Sequence, residues 1–274
     1  MEMKIFLILA AIAISLVFQS CALREKSVKN EKQTENFLEK TEIFDFRTGK
    51  IISIGEYKKI LNGQNAVYIL EKHDEFFHHL SQAETIELMG DGGKRKIAIG
   101  FEMFNKEDLS QKWLDKYNRG EINKEELIKN AWRWGFDHKI YDQILSAIPK
   151  YPALALNIDF KFRKGITAKI AANGFESLLP EEKIFFPPDG FKIPCDKGGA
   201  ENYHRAIMGG FEAMKQIGIM SDKDEERFHI GQWTMNEIMA RSILEYFGSG
   251  GSESRAMAII VGSLHGLYNN GILS

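Results

Sequence analysis

Three observations predict an α/β fold for this chain: a parallel sheet flanked by helices, with a smaller inserted helical subdomain. Four short apolar runs of strand length, Ala66–Leu70, Ile97–Phe101, Ala153–Leu156 and Ala258–Val261, are separated by stretches of helical character. Four of the six prolines, Pro180, Pro187, Pro188 and Pro194, crowd into residues 176–200, a spacing through which neither strand nor helix runs. The 274 residues are 44% hydrophobic and 27% charged, which excludes a disordered chain, a collagen-like repeat and a polytopic membrane protein. A formal charge of -2 gives no positive field for nucleic acid, so no nucleic-acid partner is expected.

Taken in chain order, residues 1–20 read as a signal peptide. Ile5–Phe18 is apolar except for Ser15, follows Lys4 and runs into Gln19-Ser20-Cys21. The run is short for a spanning helix, which needs about 20 apolar residues, and suits the apolar region of a secretion signal. Small Ser20 before Cys21 resembles a bacterial lipobox, from which Cys21 is expected to be the lipidated N-terminus of the mature protein; the alternative is an uncleaved N-terminal anchor. Residues 21–42, rich in Lys, Glu, Asn and Gln, are the tether between lipid and domain. The expected location is therefore the cell envelope, on a lipid anchor in the outer membrane.

Ile43–Phe46 and Ile51–Ile54, around Gly49, predict a hairpin at the domain entrance. A helix is expected over Glu75–Met89, stopped by Gly90-Asp91-Gly92-Gly93. Lys106–Tyr117, Lys124–Ala131 and Lys139–Ile148 alternate charge with Leu, Ile and Trp as surface helices do. Residues 43–177 and 231–274 form the α/β domain. Residues 178–230 are the insertion, with a helix near Ala200–Gly218, and a long helix over Asp224–Phe247 returns the chain to its last strand. The two cysteines, Cys21 and Cys195, are too few for a disulfide framework.

Ligands of open parallel sheets bind outside the carboxyl ends of the strands. Here those ends carry Glu71 and His73, Glu102, Asn157 and His265. Glu71, His73, Glu102 and His265 suit a divalent metal or acid–base chemistry near neutrality. Taken singly, a loop histidine paired with a neighbour is the simpler reading. His78 and His79 follow on the opening turn of a helix, about 100° apart, so one faces the strand-end cleft while the other faces outward.

The chain resembles a known family. Phe46-Arg47-Thr48-Gly49-Lys50, Glu71-x-His73-Asp74, His78-His79-x-x-Gln82, Phe101-Glu102-Met103-Phe104, Trp132-Arg133-Trp134 with Tyr141, Ala155-Leu156-Asn157, Gln232-x-x-x-Asn236-x-x-Met239-Ala240 and Gly262-x-x-His265 occur in the order seen in ChaN-like haem-binding lipoproteins of the Tiki superfamily. The resemblance covers about 44–272. It implies ferric haem as ligand, a tyrosine on the iron, a role in iron acquisition, and a homodimer that sandwiches two haems. The tyrosine it implies is Tyr203, beside His204, or else Tyr141, with a histidine among His78, His79 and His204 in support. No catalytic residue is implied by this reading. An alternative within the superfamily is a metal-dependent hydrolase using Glu71, His73, Glu102 and His265, although the chain has neither His-Glu-x-x-His nor a nucleophile elbow. The chain departs from the family at Leu70, where glycine is usual, and at Gly271-Ile272-Leu273, where Gly-Ile-Pro is.

Overall fold

A computed structural model describes residues 37–106, 110–188, 221–249 and 255–266. At its centre lie four parallel strands, β3 (Ala66–Glu71), β4 (Ile97–Asn105), β5 (Ala153–Asn157) and β6 (Ala256–Gly262), in the order β3-β6-β4-β5. The last strand in sequence is thus central, and every one of its residues is buried. That explains its unbroken apolar run, because a parallel strand covered on both faces has no wet side. The entrance hairpin is a separate antiparallel pair, β1 (Ile43–Asp45) and β2 (Lys50–Ile52), with Phe44 opposite Ile51 and Gly49 at φ 68° in the turn.

Alternation along the strands divides the core. Val67, Ile97, Ile99, Phe101, Ala155, Ala258 and Ile260 face one layer, together with Ile86 and Met89 of α2 (Phe76–Gly90). Leu156, Met257, Ile259 and Val261 face the other, against Met235, Met239 and Ile243 of a 27-residue helix, Asp222–Gly248. Each such buried side chain contributes on the order of 1.5–3 kcal/mol of transfer free energy. The long helix is also fastened to the sheet by Ser242, whose Oγ donates to the Leu156 carbonyl at 2.8 Å.

Several elements depart from expectation for local reasons. The second hairpin strand ends at Ile52, because Ser53 caps a helix α1 (Ile54–Asn62) that was not foreseen. Ser53 Oγ accepts from Glu56 N, and Glu56 Oε2 accepts from Ser53 N at 2.8 Å, a capping box. β4 runs on to Asn105, the residue before the expected helix start at Lys106; among the described residues α3 is Ser110–Asn118, and α4 is Lys124–Ala131. The Lys139–Ile148 helix shrinks to a 3-10 turn, His138–Tyr141, and a single turn α5 (Asp142–Leu145). Pro149 disfavours helical backbone at Ile148. A further helix, α6 (Phe160–Asn173), follows β5, capped by Asp159, which accepts from Lys161 N at 2.8 Å and Phe162 N at 3.2 Å. The short α7 is Pro180–Lys183, and the long helix, α8, agrees with the expected span Asp224–Phe247 to within two residues at either end. Residues 1–36, which hold the expected signal, Cys21 and most of the tether, lie outside the described residues, as do the expected helix at Ala200–Gly218 and Gly271–Leu273. Among the described residues no helix is long and apolar enough to cross a membrane.

Candidate functional site

The four strand-end side chains are built from β3, β4 and β6. Glu71 is paired in register with Gly262, so the ends of β3 and β6 are level. On β4 the pairing with β5 shifts between Phe101 and Asn105, and Glu102 falls inside this irregularity. After Gly262, at φ -58° and ψ 146°, the chain turns through a 3-10 turn, Ser263–His265, that folds His265 back over the strand end.

Glu71 is buried with all its acceptor positions occupied. Its Oε1 accepts from His73 Nδ1 at 2.7 Å and from the Tyr141 hydroxyl at 2.7 Å. Its Oε2 accepts from Gln82 Nε2 at 2.9 Å and contacts His79 Nδ1 at 3.2 Å. A carboxylate has about four lone-pair sites, so the set is complete. His79, itself fully buried, faces acceptors at both nitrogens: Gln82 Oε1 and Glu71 at Nδ1, and the His73 carbonyl at Nε2, 3.2 Å away. Acceptors at both nitrogens favour the protonated ring beside Glu71. Burial alone would raise the Glu71 pKa, but hydrogen bonds from His73, His79 and Tyr141 outweigh it and hold the carboxyl at about 2. Burial likewise pulls His73 and His79 down, and the hydrogen bond and charge of Glu71 turn both net shifts upward.

Glu102 makes a second cluster, toward α8. Its Oε1 lies 3.1 Å from His265 Nε2, and its Oε2 accepts from Gly262 N at 2.7 Å. His265 Nδ1 in turn meets Asn236 Oδ1 at 2.5 Å. Burial would raise the Glu102 pKa; the charge and hydrogen bond of His265 and the charge of His73 bring it below the ordinary carboxylate range. His73 joins the clusters by lying against Gly262: a Cβ added there would sit 2.7 Å from His73 Nε2 and 3.5 Å from Glu102 Oε2. Trp134 and Phe136 pack on the His73 ring, with centroids 5.2 and 4.9 Å away. A cavity of about 360 Å³ opens over this edge, bordered also by Gln232 and Met235.

Glu71, His73, Glu102 and His265 therefore converge, and their polar atoms are turned on one another. With Glu71 saturated and both His265 nitrogens engaged, the donor set does not fit a metal ion in this arrangement, and no group of three such side chains among the described residues is spaced to hold one. Tyr141 is fully buried; burial and the adjacent Glu71 charge push its hydroxyl well above the ordinary value, so it keeps its proton and donates it to Glu71. His78, half-exposed, accepts at Nδ1 from Lys72 N at 2.9 Å, and burial lowers its pKa. Of the adjacent histidine pair, it is thus His79 that turns inward to Glu71, buried beneath the cavity rather than lining it. Tyr203 and His204 lie outside the described residues. Three contributors had not been singled out as site residues: Gln82, Asn236 and Gly262. Asn236 carried a signal, an amide beside the apolar Met235, Ile238 and Met239; Gln82 sits one turn after His79 on a buried helix face that also holds Ser81 and Thr85.

A family model described as haem-binding uptake, Tiki superfamily, ChaN matches residues 58–274. Among solved structures, the chain is similar to ChaN of Campylobacter jejuni, whose structure is described by its cofacial haem binding; the likeness has a TM-score of 0.60 at 17% identity and covers 81% of this chain and 79% of that one. No functionally curated protein matches the chain by sequence.

Proposed function

Because the chain belongs to the ChaN family of the Tiki superfamily, as its match over residues 58–274 shows, we propose that it is a haem-binding protein of the cell envelope, serving iron acquisition without catalytic turnover. The family match carries this reading, since it takes in all four strands of the parallel sheet and both strand-end clusters. Ile5–Phe18 running into Ser20-Cys21 supports a lipid anchor at Cys21. The haem is ferric and tyrosine-ligated, because a phenolate is a hard anionic ligand suited to that centre. With the Tyr141 hydroxyl committed to Glu71, Tyr203 is the ligand and His204 its neighbour in support. A haem left open on one side is covered when two protein–haem units meet, so haem binding promotes a homodimer. The geometry does not favour a metal-dependent hydrolase, because Glu71 has no acceptor site left for an ion.

Hemin titration of the full chain and of Tyr203→Phe and Tyr141→Phe, followed by the Soret and high-spin charge-transfer bands with parallel sedimentation, tests the reading. A saturable spectrum in wild type that is changed by Tyr203→Phe and retained in Tyr141→Phe is expected. No saturable binding by wild type would overturn the function. An unchanged spectrum in Tyr203→Phe would overturn the ligand.

A further inference from the structure

Exposed phenylalanines gather at the carboxyl edge of the parallel sheet. Phe76 and Phe77, 40% and 48% exposed, open α2 after the end of β3, and Phe160 and Phe162, 62% and 37% exposed, open α6 after the end of β5. β3 and β5 are the outermost strands, so the two pairs stand at opposite ends of one edge. The Cα–Cβ bonds of a helix lean toward its N-terminus, which turns rings on an opening turn outward past that edge. Phe136, 38% exposed, lies on the His73 ring and lines the strand-end cavity of the same edge. Exposed Lys161 and Lys164 interleave with the α6 pair. Two carboxylates nearby are engaged: Asp74 pairs with Lys72 at 3.4 Å, and Asp159 caps α6.

Grouped exposed rings of this kind mark a surface that meets an apolar phase. Rings interleaved with lysines suit a bilayer interface, where the rings enter the headgroup region and the amines meet anionic headgroups. The path of the chain argues for that occupant. Phe37, where the described chain begins, stacks on Phe77 with centroids 5.6 Å apart, and Phe77 meets Phe76 edge-on at 5.9 Å. The chain therefore enters the fold on this patch. Sixteen residues lead from Cys21 to Phe37. Even fully extended they reach only about 55 Å, so an acyl group on Cys21 keeps the domain beside the bilayer at high local concentration.

We propose that the carboxyl edge of the sheet is a membrane-docking face. Phe76, Phe77, Phe160 and Phe162 enter the lipid interface, Lys161 and Lys164 meet anionic headgroups, and the strand-end cavity opens toward the bilayer. The proposal rests on the anchor at Cys21 and is independent of haem. The test uses the acylated full chain in vesicles of phosphatidylethanolamine and phosphatidylglycerol that contain a doxyl-labelled lipid. In a Cys195→Ser background, Phe77→Cys, Phe160→Cys or Lys94→Cys carries the fluorophore NBD. All three positions are exposed, and Lys94, in the loop that leads into β4, marks the opposite, amino edge. The label at 77 and at 160 should be quenched several-fold more strongly than at 94, with its emission shifted to the blue. Phosphatidylcholine in place of phosphatidylglycerol should weaken the quenching at 160; unchanged quenching there would overturn the headgroup contact of the lysines. A chain that does not float with the vesicles would remove the anchor and the proposal together. A floating chain with equal quenching at all three positions, or none at 77 and 160, would overturn the proposal and leave the anchor intact. A blue shift at 77 and 160 without lipid quenching would overturn it too, giving the face to a second copy of the chain.

Discussion

Glu71 and its imidazole neighbours set opposite limits on the pH range in which the chain is most stable. A carboxyl held at about 2 in the folded chain, against 4.5 ordinarily, is protonated first in the unfolded state. Its stabilising effect is fully present above about 4.5 and is lost as pH falls toward 2, an effect of about 3 kcal/mol by linkage. His73 and His79 are raised above 6.5, so their effect is present below that value and is lost as pH climbs past their folded values. Thermal melting between pH 3 and 9 should therefore show its highest midpoint between about 4.5 and 6.5. In Glu71→Gln the acid limb should flatten, and the protein should lose about 3–5 kcal/mol because the buried partner of His73, His79 and Tyr141 loses its charge. An unaltered acid limb in that variant would show that Glu71 is not held down as described. At this scale the sequence was legible as to which residues meet at the sheet edge but not as to what they do there. His79 and Gln82 are one helical turn apart, yet the direction of each hydrogen bond depends on Tyr141, which arrives from a different part of the chain.

Elements were legible where their signal was local. The hydrophobic runs located all four strands, and α4 matches its expected span because Asn123 and Glu126 form a capping box around an ordinary amphipathic turn pattern. α1 carried the same kind of signal at Ser53 and Glu56, hidden by the β-branched residues before it. The extension of β4 had no such marker, since Met103 and Phe104 suit either state and are buried in the same core as Leu114, Leu127 and Tyr141 from distant segments. One junction between elements makes a sharp prediction. Gly90 ends α2 against Tyr151, where an added Cβ would lie 2.4 Å from the ring. Tyr151 also donates to Glu87 Oε2 at 3.2 Å, which keeps the ring in place. Gly90→Ala should cost about 1–3 kcal/mol through overpacking, read as a lower urea midpoint at unchanged slope, and Tyr151→Leu should recover part of the loss in the double variant.

For the whole molecule, the parallel sheet was readable because covered strands lose their alternation, whereas the place of the last strand was not. Nothing in Ala256–Gly262 announces that it slips between β3 and β4. That insertion brings His265 to Glu102 and makes the site depend on both ends of the chain. The proposed lipid anchor belongs to this scale too. Cys21→Ala should abolish lipid labelling and shift the protein from the detergent phase to the aqueous phase or to an unprocessed precursor; a mature lipid-modified species in that variant would refute acylation at Cys21.

Gly266 stands where an added Cβ would lie 2.6 Å from Cδ2 of Leu70. The backbone at Gly266, φ -133°, is open to any residue, so what bars a side chain there is occupied volume alone. One isobutyl group fills a space that either position could have filled. The two sites therefore form a large–small pair whose exchange conserves volume: shortening the side chain at 70 opens room for one at 266, and bulk at 266 fits only beside a shorter residue at 70.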